Sequence, residues 1–369
     1  MKIVFIAYNY HPGYTSPEEW IRRIRPFSGV MESLALRNTV IYAGKINYSG
    51  NLTHNGVQYH FYGSGRGRSR FPMHLHREVR NMQPDVIIIP GLHFPLQVIQ
   101  LRRQVGKKAK IIAEHHADKP PAGIKRKLQQ WADHCINAYH FTSEGNAQPW
   151  KDAGIIRKAE KCREIPAGSS GFTRQNKEAC KRDLQMGEGP DFIWVGRLNA
   201  NKDPMTILAA FEKYFQSNRA ATLHMIYQDD DLLPLIKTRI EKSETLKMGV
   251  RLHGLKQNSE LERWYNAADF LISGSHSEGG SIALLEAMSC GCIPVVTAIP
   301  SSLKATHSGQ FGLHFRPGDP EDLYEKLLST EKISLPEFSK AVEGYFQQEF
   351  SFEAIARKIY HSIELLMSE

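Results

Sequence analysis

The sequence predicts an α/β protein of two open parallel sheets in tandem, and three observations carry that prediction. The chain has 369 residues, enough for two separate cores. Short β-branched runs alternate with longer amphipathic ones, the rhythm of strand, helix and parallel strand. A polar stretch at residues 174–190, ending Gly187-Glu188-Gly189-Pro190, divides two such series. Hydrophobic residues make up 41% and charged residues 23%, which excludes a disordered or fibrous chain.

The opening run at 2–8 breaks at Tyr8-Asn9-Tyr10-His11 with no small-residue cleavage site after it, so it reads as a first strand rather than a leader. Strands at 39–43, 86–90 and 110–114 continue the first series. The second series begins near Asp191, with strands at 192–196, 222–227, 250–253, 270–273 and 293–297. Helices at 204–215, 259–268 and 281–288 follow three of them. Residues 352–367 place Ile355, Ile359, Ile363 and Leu366 on one helical face, which must cover a core. The expected division is therefore 1–185, 186–350 and a C-terminal helix at 351–369 placed to pack back on the first domain.

No window approaches the roughly 20 apolar residues of a spanning helix, so membrane contact is expected to be peripheral. Five cysteines, an odd number without framework spacing, point to a reducing compartment and a cytoplasmic location. Cys290-Gly291-Cys292 lacks a second Cys/His pair at ligand spacing and reads as buried thiols rather than a metal site. The formal charge of +8 is uneven: residues 1–180 hold 27 Lys/Arg against 13 Asp/Glu, or +14, which leaves 20 against 26, or −6, for the rest. Arg66, Arg68 and Arg70, with Lys125-Arg126-Lys127, concentrate that excess. A basic half suits an anionic partner or a membrane face, and no nucleic-acid motif accompanies it.

Two tandem parallel sheets bind ligands at the carboxyl ends of their strands, so the cleft between the domains is where chemistry is expected. At 270–288 a strand runs through Gly279 and Gly280 into a helix that Ser281 caps and Ile282 begins. Free N–H groups at such a terminus, approached closely across glycine, make an anion site. Glu278 precedes the helix and Glu286 lies in its second turn, bracketing a ligand there. At 192–204 a second strand enters a loop carrying Arg197 and Lys202 before Pro204 starts a helix. Arg binds phosphate through a bidentate fork and Lys as a point charge, so the pair suits a diphosphate.

Glu278-x7-Glu286 after Ala268-Asp269-Phe270, with Val195-Gly196-Arg197-Leu198 and Lys202, resembles the retaining glycosyltransferases of family four. Glu286-Ala287-Met288-Ser289-Cys290-Gly291 and Pro294-Val295-Val296 share that family's style, over about residues 190–320. The resemblance implies the GT-B fold, two Rossmann-like domains with parallel sheets facing across a cleft. It implies transfer of a hexose from a nucleoside-diphosphate sugar to an acceptor hydroxyl with retention of configuration, without metal or other cofactor, in cell-surface polysaccharide or glycoconjugate synthesis. Carried over, Glu278 lies against the donor sugar, Glu286 holds the ribose, Arg197 and Lys202 clamp the diphosphate, and Gly279, Gly280, Ser281 and Ile282 complete the donor site. Ile111-Ile112-Ala113-Glu114-His115-His116 resembles the first-domain strand whose histidine faces the donor sugar, with His115 in register.

Three departures stand out. The loop after the first strand, His11-Pro12-Gly13-Tyr14-Thr15, has one glycine where the family usually has two, which leaves Gly13 and Tyr14 as the acceptor-side candidates. Gln228-Asp229-Asp230-Asp231 replaces a glycine-rich turn and reads as a surface turn rather than a metal motif. Gly279-Gly280 stands where many members have Phe-Gly, which removes an aromatic wall. The expected partners are a nucleotide sugar and a glycan or lipid-linked acceptor, anionic or at the inner face of a membrane. The competing readings are a sugar-nucleotide epimerase or phosphorylase-like enzyme, and a basic nucleic-acid- or membrane-binding protein without catalysis.

Overall fold

The computed structural model describes residues 1–63, 72–116, 118–228 and 231–368. Arg66, Arg68 and Arg70, and Asp229 and Asp230 of the surface turn, lie outside the described residues. Two compact units emerge, Met1–Ser169 with Ser351–Glu369 and Ser170–Phe350.

The first unit carries β1 Lys2–His11, β2 Thr39–Ile46, β3 Gly50–His54, β4 Val57–Phe61, β5 Val86–Pro90, β6 Lys110–Glu114, β7 Ala138–Phe141 and β8 Cys162–Glu164. They form one sheet in the order β3-β4-β2-β1-β5-β6-β7-β8, parallel apart from the β3–β4 hairpin. Both faces are covered, which is why β5 reads as an unbroken apolar run. Val86 and Ile88 enter one core with Ile3 and Phe5 of β1, whereas Ile87 and Ile89 enter the other with Val4 and Ile6.

The helix Phe352–Ser368 belongs to this unit although it follows the whole second unit in the chain. Ile355, Ile359, Ile363 and Leu366 bury in the core that also holds Val30, Met31 and Leu34 of the helix Arg25–Ala35. Gly29 makes that crossing possible, since a Cβ there would stand 2.4 Å from the Phe352 ring. Across the sheet, His140 Nε2 of β7 lies 3.0 Å from the Ser362 hydroxyl.

The second unit carries β9 Asp191–Gly196, β10 Thr222–Tyr227, β11 Val250–Gly254, β12 Phe270–Ser273, β13 Ile293–Thr297 and β14 Leu313–Phe315. All are parallel, in the order β11-β10-β9-β12-β13-β14. This is the doubly wound arrangement, in which the order reverses between β9 and β12 and opens a crevice at their carboxyl ends.

The division falls between Ser169 and Ser170, not at 185. The polar stretch that reads as a linker contains a helix, Lys177–Asp183, bound to the second unit by charge and hydrogen bonds. Lys177 pairs with Asp269 at 2.5 Å and Lys181 with Asp191 at 2.9 Å, both carboxylates being buried at the amino ends of β12 and β9. Just before it, Gln175 N donates to Asn266 Oδ1 at 2.6 Å and Thr173 N to Glu262 at 2.8 Å. Polarity there reflects partners, not solvent.

Candidate functional site

At the β9/β12 reversal of the second unit lies a cavity of about 470 Å³. Two loops build it, and local chemistry fixes each. After β9, the Asn199 side chain accepts from Lys202 N at 3.1 Å and holds a short 3-10 turn, Ala200–Lys202. Asp203 then adopts left-handed backbone (φ 42°), which Asp tolerates better than most residues. Its carboxylate caps the helix Pro204–Ser217, accepting from Thr206 N at 3.2 Å and from the Thr206 hydroxyl at 2.7 Å.

The loop after β12 is laced to the first. His276 N donates to Asn201 O at 2.8 Å, and Asn201 Nδ2 donates to Ser277 O at 3.0 Å. Gly274 is needed there, because a Cβ would stand 3.2 Å from the carbonyl oxygens of Lys202 and Asp203. This lacing sets the Lys202 ammonium against Glu278 Oε1 in an ion pair on the cavity wall. Ser281 caps the helix Ile282–Ser289, its hydroxyl accepting from Leu284 N at 3.3 Å. Ile282 and Ala283 of the first turn line the cavity, where helical geometry leaves N–H groups without an intrahelical acceptor.

Of the residues expected from sequence, Arg197, Lys202, Glu278, Gly280, Ser281 and Ile282 therefore share one cavity. Lys256, in the loop after β11, joins them. It is recognisable in retrospect only as a cation just past the carboxyl end of a strand. Among the described residues that line the cavity, three cations stand against one carboxylate, inside a unit that is acidic overall.

Glu286 does not line this cavity. It is buried behind the helix, where Oε1 accepts from Asn258 Nδ2 at 3.1 Å and Oε2 from the Tyr265 hydroxyl at 3.3 Å. Burial pushes its pKa up to about 7 against these two hydrogen bonds. Gly279 is buried beside Glu278 and also lies outside the lining.

His115, Gly13 and Tyr14 belong to the first unit. There a cavity of about 620 Å³ opens at the carboxyl ends of β1, β5 and β6. Tyr14 lines it, packed edge-on to Trp20 at 5.1 Å. Gly13 is exposed beside it, and a Cβ there would meet nothing within 4 Å. His115 is buried under the loop, its Nε2 3.0 Å from Asp118 O and its ring 5.0 Å from Phe141, and burial lowers its pKa. His116 is the residue that faces the cavity. Adjacent residues leaving a strand point opposite ways, and the one in register with the strand's buried side turned inward.

All five cysteines are free, with Cys290 and Cys292 buried and their thiols held protonated by burial. Among the described residues no group of three His, Cys, Asp or Glu side chains is placed to hold a metal ion, and no helix is long and apolar enough to cross a membrane. Lys125, Arg126 and Lys127 lie exposed on the helix Gly123–Asp133, with Ile124 and Trp131 exposed on the same element.

The family model for Glycosyl transferases group 1 matches residues 189–331, inside the second unit. The GDP-mannose:cellobiosyl-diphosphopolyprenol alpha-mannosyltransferase of Xanthomonas oryzae is 23% identical over 322 residues, 84% of this chain and 82% of its own. Sucrose-phosphate synthase from Thermosynechococcus elongatus superposes with a TM-score of 0.73 at 15% identity, over 100% of this chain and 99% of its own. Anabaena HepE, solved with UDP and glucose, gives 0.74 at 14% identity, over 99% of this chain and 100% of its own. The whole chain thus has the GT-B architecture of two parallel-sheet Rossmann-like domains, and its second unit is similar to the glycosyl transferases of group 1.

Proposed function

We propose that the protein transfers a hexose from a nucleoside-diphosphate sugar to an acceptor hydroxyl with retention of anomeric configuration, in the synthesis of a lipid-linked or cell-surface glycan. The observation that carries this reading is the positive cavity at the β9/β12 crevice, where Arg197, Lys202 and the first turn of Ile282–Ser289 surround Glu278. A diphosphate set there meets two cations and a helix terminus. The bond from the anomeric carbon to the diphosphate oxygen breaks as the acceptor oxygen bonds to that carbon. The electron pair stays on the departing diphosphate, which takes the acceptor proton. Charge growing on that group is stabilised by donors already in place, and fixed donors lower a barrier because they need not reorganise. Glu278 orients the sugar and offsets positive charge on its ring. Arg197, Lys202 and Lys256 supply the positive charge that a divalent metal supplies elsewhere, so no metal enters the reaction. The GDP-mannose in the Xanthomonas relative's name and the UDP-glucose bound in another HepE structure support a nucleoside-diphosphate hexose.

Calorimetry with UDP and GDP, paired with product assays on UDP-glucose and GDP-mannose, tests the reading. Lys202→Ala should weaken nucleoside-diphosphate binding by about tenfold or more, the worth of one charge-assisted hydrogen bond. Glu278→Gln should keep that affinity and lose about a hundredfold or more in turnover. Full turnover by Glu278→Gln would sink the assignment, and nucleotide release that does not depend on an acceptor would favour an epimerase or hydrolytic activity.

A further inference from the structure

The cavity of the first unit has a chemistry opposite to that of the donor site. Its walls are aromatic, with Tyr8, Trp20, Phe27, Tyr42 and Phe94 all contributing. The polar atoms on those rings are spent within the protein. Trp20 Nε1 donates to the Tyr42 hydroxyl at 3.0 Å, and the Tyr8 hydroxyl lies 2.9 Å from His76 Nε2. Ring and hydrocarbon thus make up much of the wall, beside the polar side chains of Asn9, His11 and Tyr14, in a volume of about 620 Å³ that falls in the range of small-molecule sites.

One end is polar and carries two carboxylates, Glu114 and Asp118. Asp118 is occupied, Oδ1 by His93 Nε2 at 2.6 Å and Oδ2 by Leu92 N at 2.7 Å. Glu114 is buried between His140 Nδ1 at 3.8 Å and His116 Nε2 at 3.9 Å. His116 Nε2 is itself shielded from solvent and has no hydrogen-bond partner among the described residues. A buried polar atom without a partner is costly, and a ligand hydroxyl would relieve it. An anionic group is disfavoured at this end by the two carboxylates. Arg23, the one permanent cation on the wall among the described residues, stands exposed.

We propose that this cavity binds the acceptor, and that the acceptor is a neutral alcohol on an apolar body, its hydrocarbon against the aromatic wall and a hydroxyl at His116. The role as acceptor rests on the glycosyl-transfer reading; the binding of such an alcohol does not. This differs from the anionic acceptor that the +14 charge of residues 1–180 suggests; among the described residues Lys125–Lys127 lie on an exposed helix and only Arg23 of the Lys/Arg side chains lines the cavity.

Calorimetry on the full chain with octyl β-D-glucopyranoside, glucose and octyl β-D-glucuronide, all below micellar concentrations, tests it. Octyl glucoside should bind about tenfold or more tighter than glucose, since even a few buried methylenes suffice for that. It should also bind tighter than the glucuronide. Ala7→Phe, which fills the cavity, should abolish octyl glucoside binding, and His116→Phe, which keeps the ring but loses the nitrogen, should weaken it; retention of the first unit's calorimetric unfolding transition reports that each variant has folded. Equal affinity for glucose and octyl glucoside, a preference for the glucuronide, or undiminished binding by both folded variants would overturn the proposal. Loss of the nucleotide site with alcohol binding intact would instead sink the transferase reading and leave the cavity assigned.

Discussion

Glu286 shows how a residue that sequence singles out can sit apart from the cavity beside it. Its position within Ile282–Ser289 suggests a ligand carboxylate, yet the side chain is enclosed by Asn258 and Tyr265. Its pKa, raised from 4.5 to about 7 by burial, lies above that of the unfolded chain. The native state therefore holds the proton more tightly, a stabilisation that is full below pH 4.5 and lost as pH rises through about 7. Glu286→Gln should escape this loss: thermal denaturation at a series of pH values should show the wild type falling behind the variant by on the order of 3 kcal/mol by about pH 8. A constant gap across that window would mean that the carboxyl is ionised in the native state. Residue identity is legible where the backbone dictates it, as at Ser281 capping its helix or Lys202 ending its turn. It is less legible at His115 and His116, where one step of register exchanges buried for exposed.

Elements were readable in proportion to how completely they are buried. Strands such as β5, β9 and β13 are covered on both faces and announce themselves as apolar runs. The β3–β4 hairpin escapes such reading because Gly50–His54 is an edge strand with no buried residue. Helix pairing is likewise invisible in a single segment. Gly29 sits within an 11-residue helix, where glycine costs about 1 kcal/mol relative to alanine, yet it is the one residue that lets Phe352 approach. Gly29→Ala should reverse the usual gain from replacing a helical glycine and destabilise the protein by about 1–3 kcal/mol through overpacking, read as a lower denaturation midpoint. A midpoint raised by the substitution would show that the two helices separate easily.

At the scale of the molecule, the two strand series and the β9/β12 crevice follow from local pattern, because β9 and β12 each run directly into the loop that bears the candidate residues. The boundary at Ser169 and the aromatic cavity do not, because both depend on segments far apart in the chain. The cavity alone draws on residues from Phe5 to Ile359. A chain ending at Phe350 would lose the buried Phe352, Ile355, Ile359, Ile363 and Leu366 among others, each contributing about 1.5–3 kcal/mol. That sum is comparable to the whole stability of an average domain. Calorimetry of the truncated protein should show the first unit's transition lost and the second unit's preserved, with UDP binding retained; two intact transitions would show the helix to be dispensable.

The same connectivity bears on birth at the ribosome. Domains ordinarily fold in the order in which they are made, the N-terminal one first. Here the second unit, 170–350, is fully synthesised while the first still waits for Phe352–Ser368. The nascent protein thus carries a completed second unit together with a first-unit sheet whose one apolar face is only partly covered. The final seventeen-residue helix acts as the closing latch of a domain begun some 350 residues earlier.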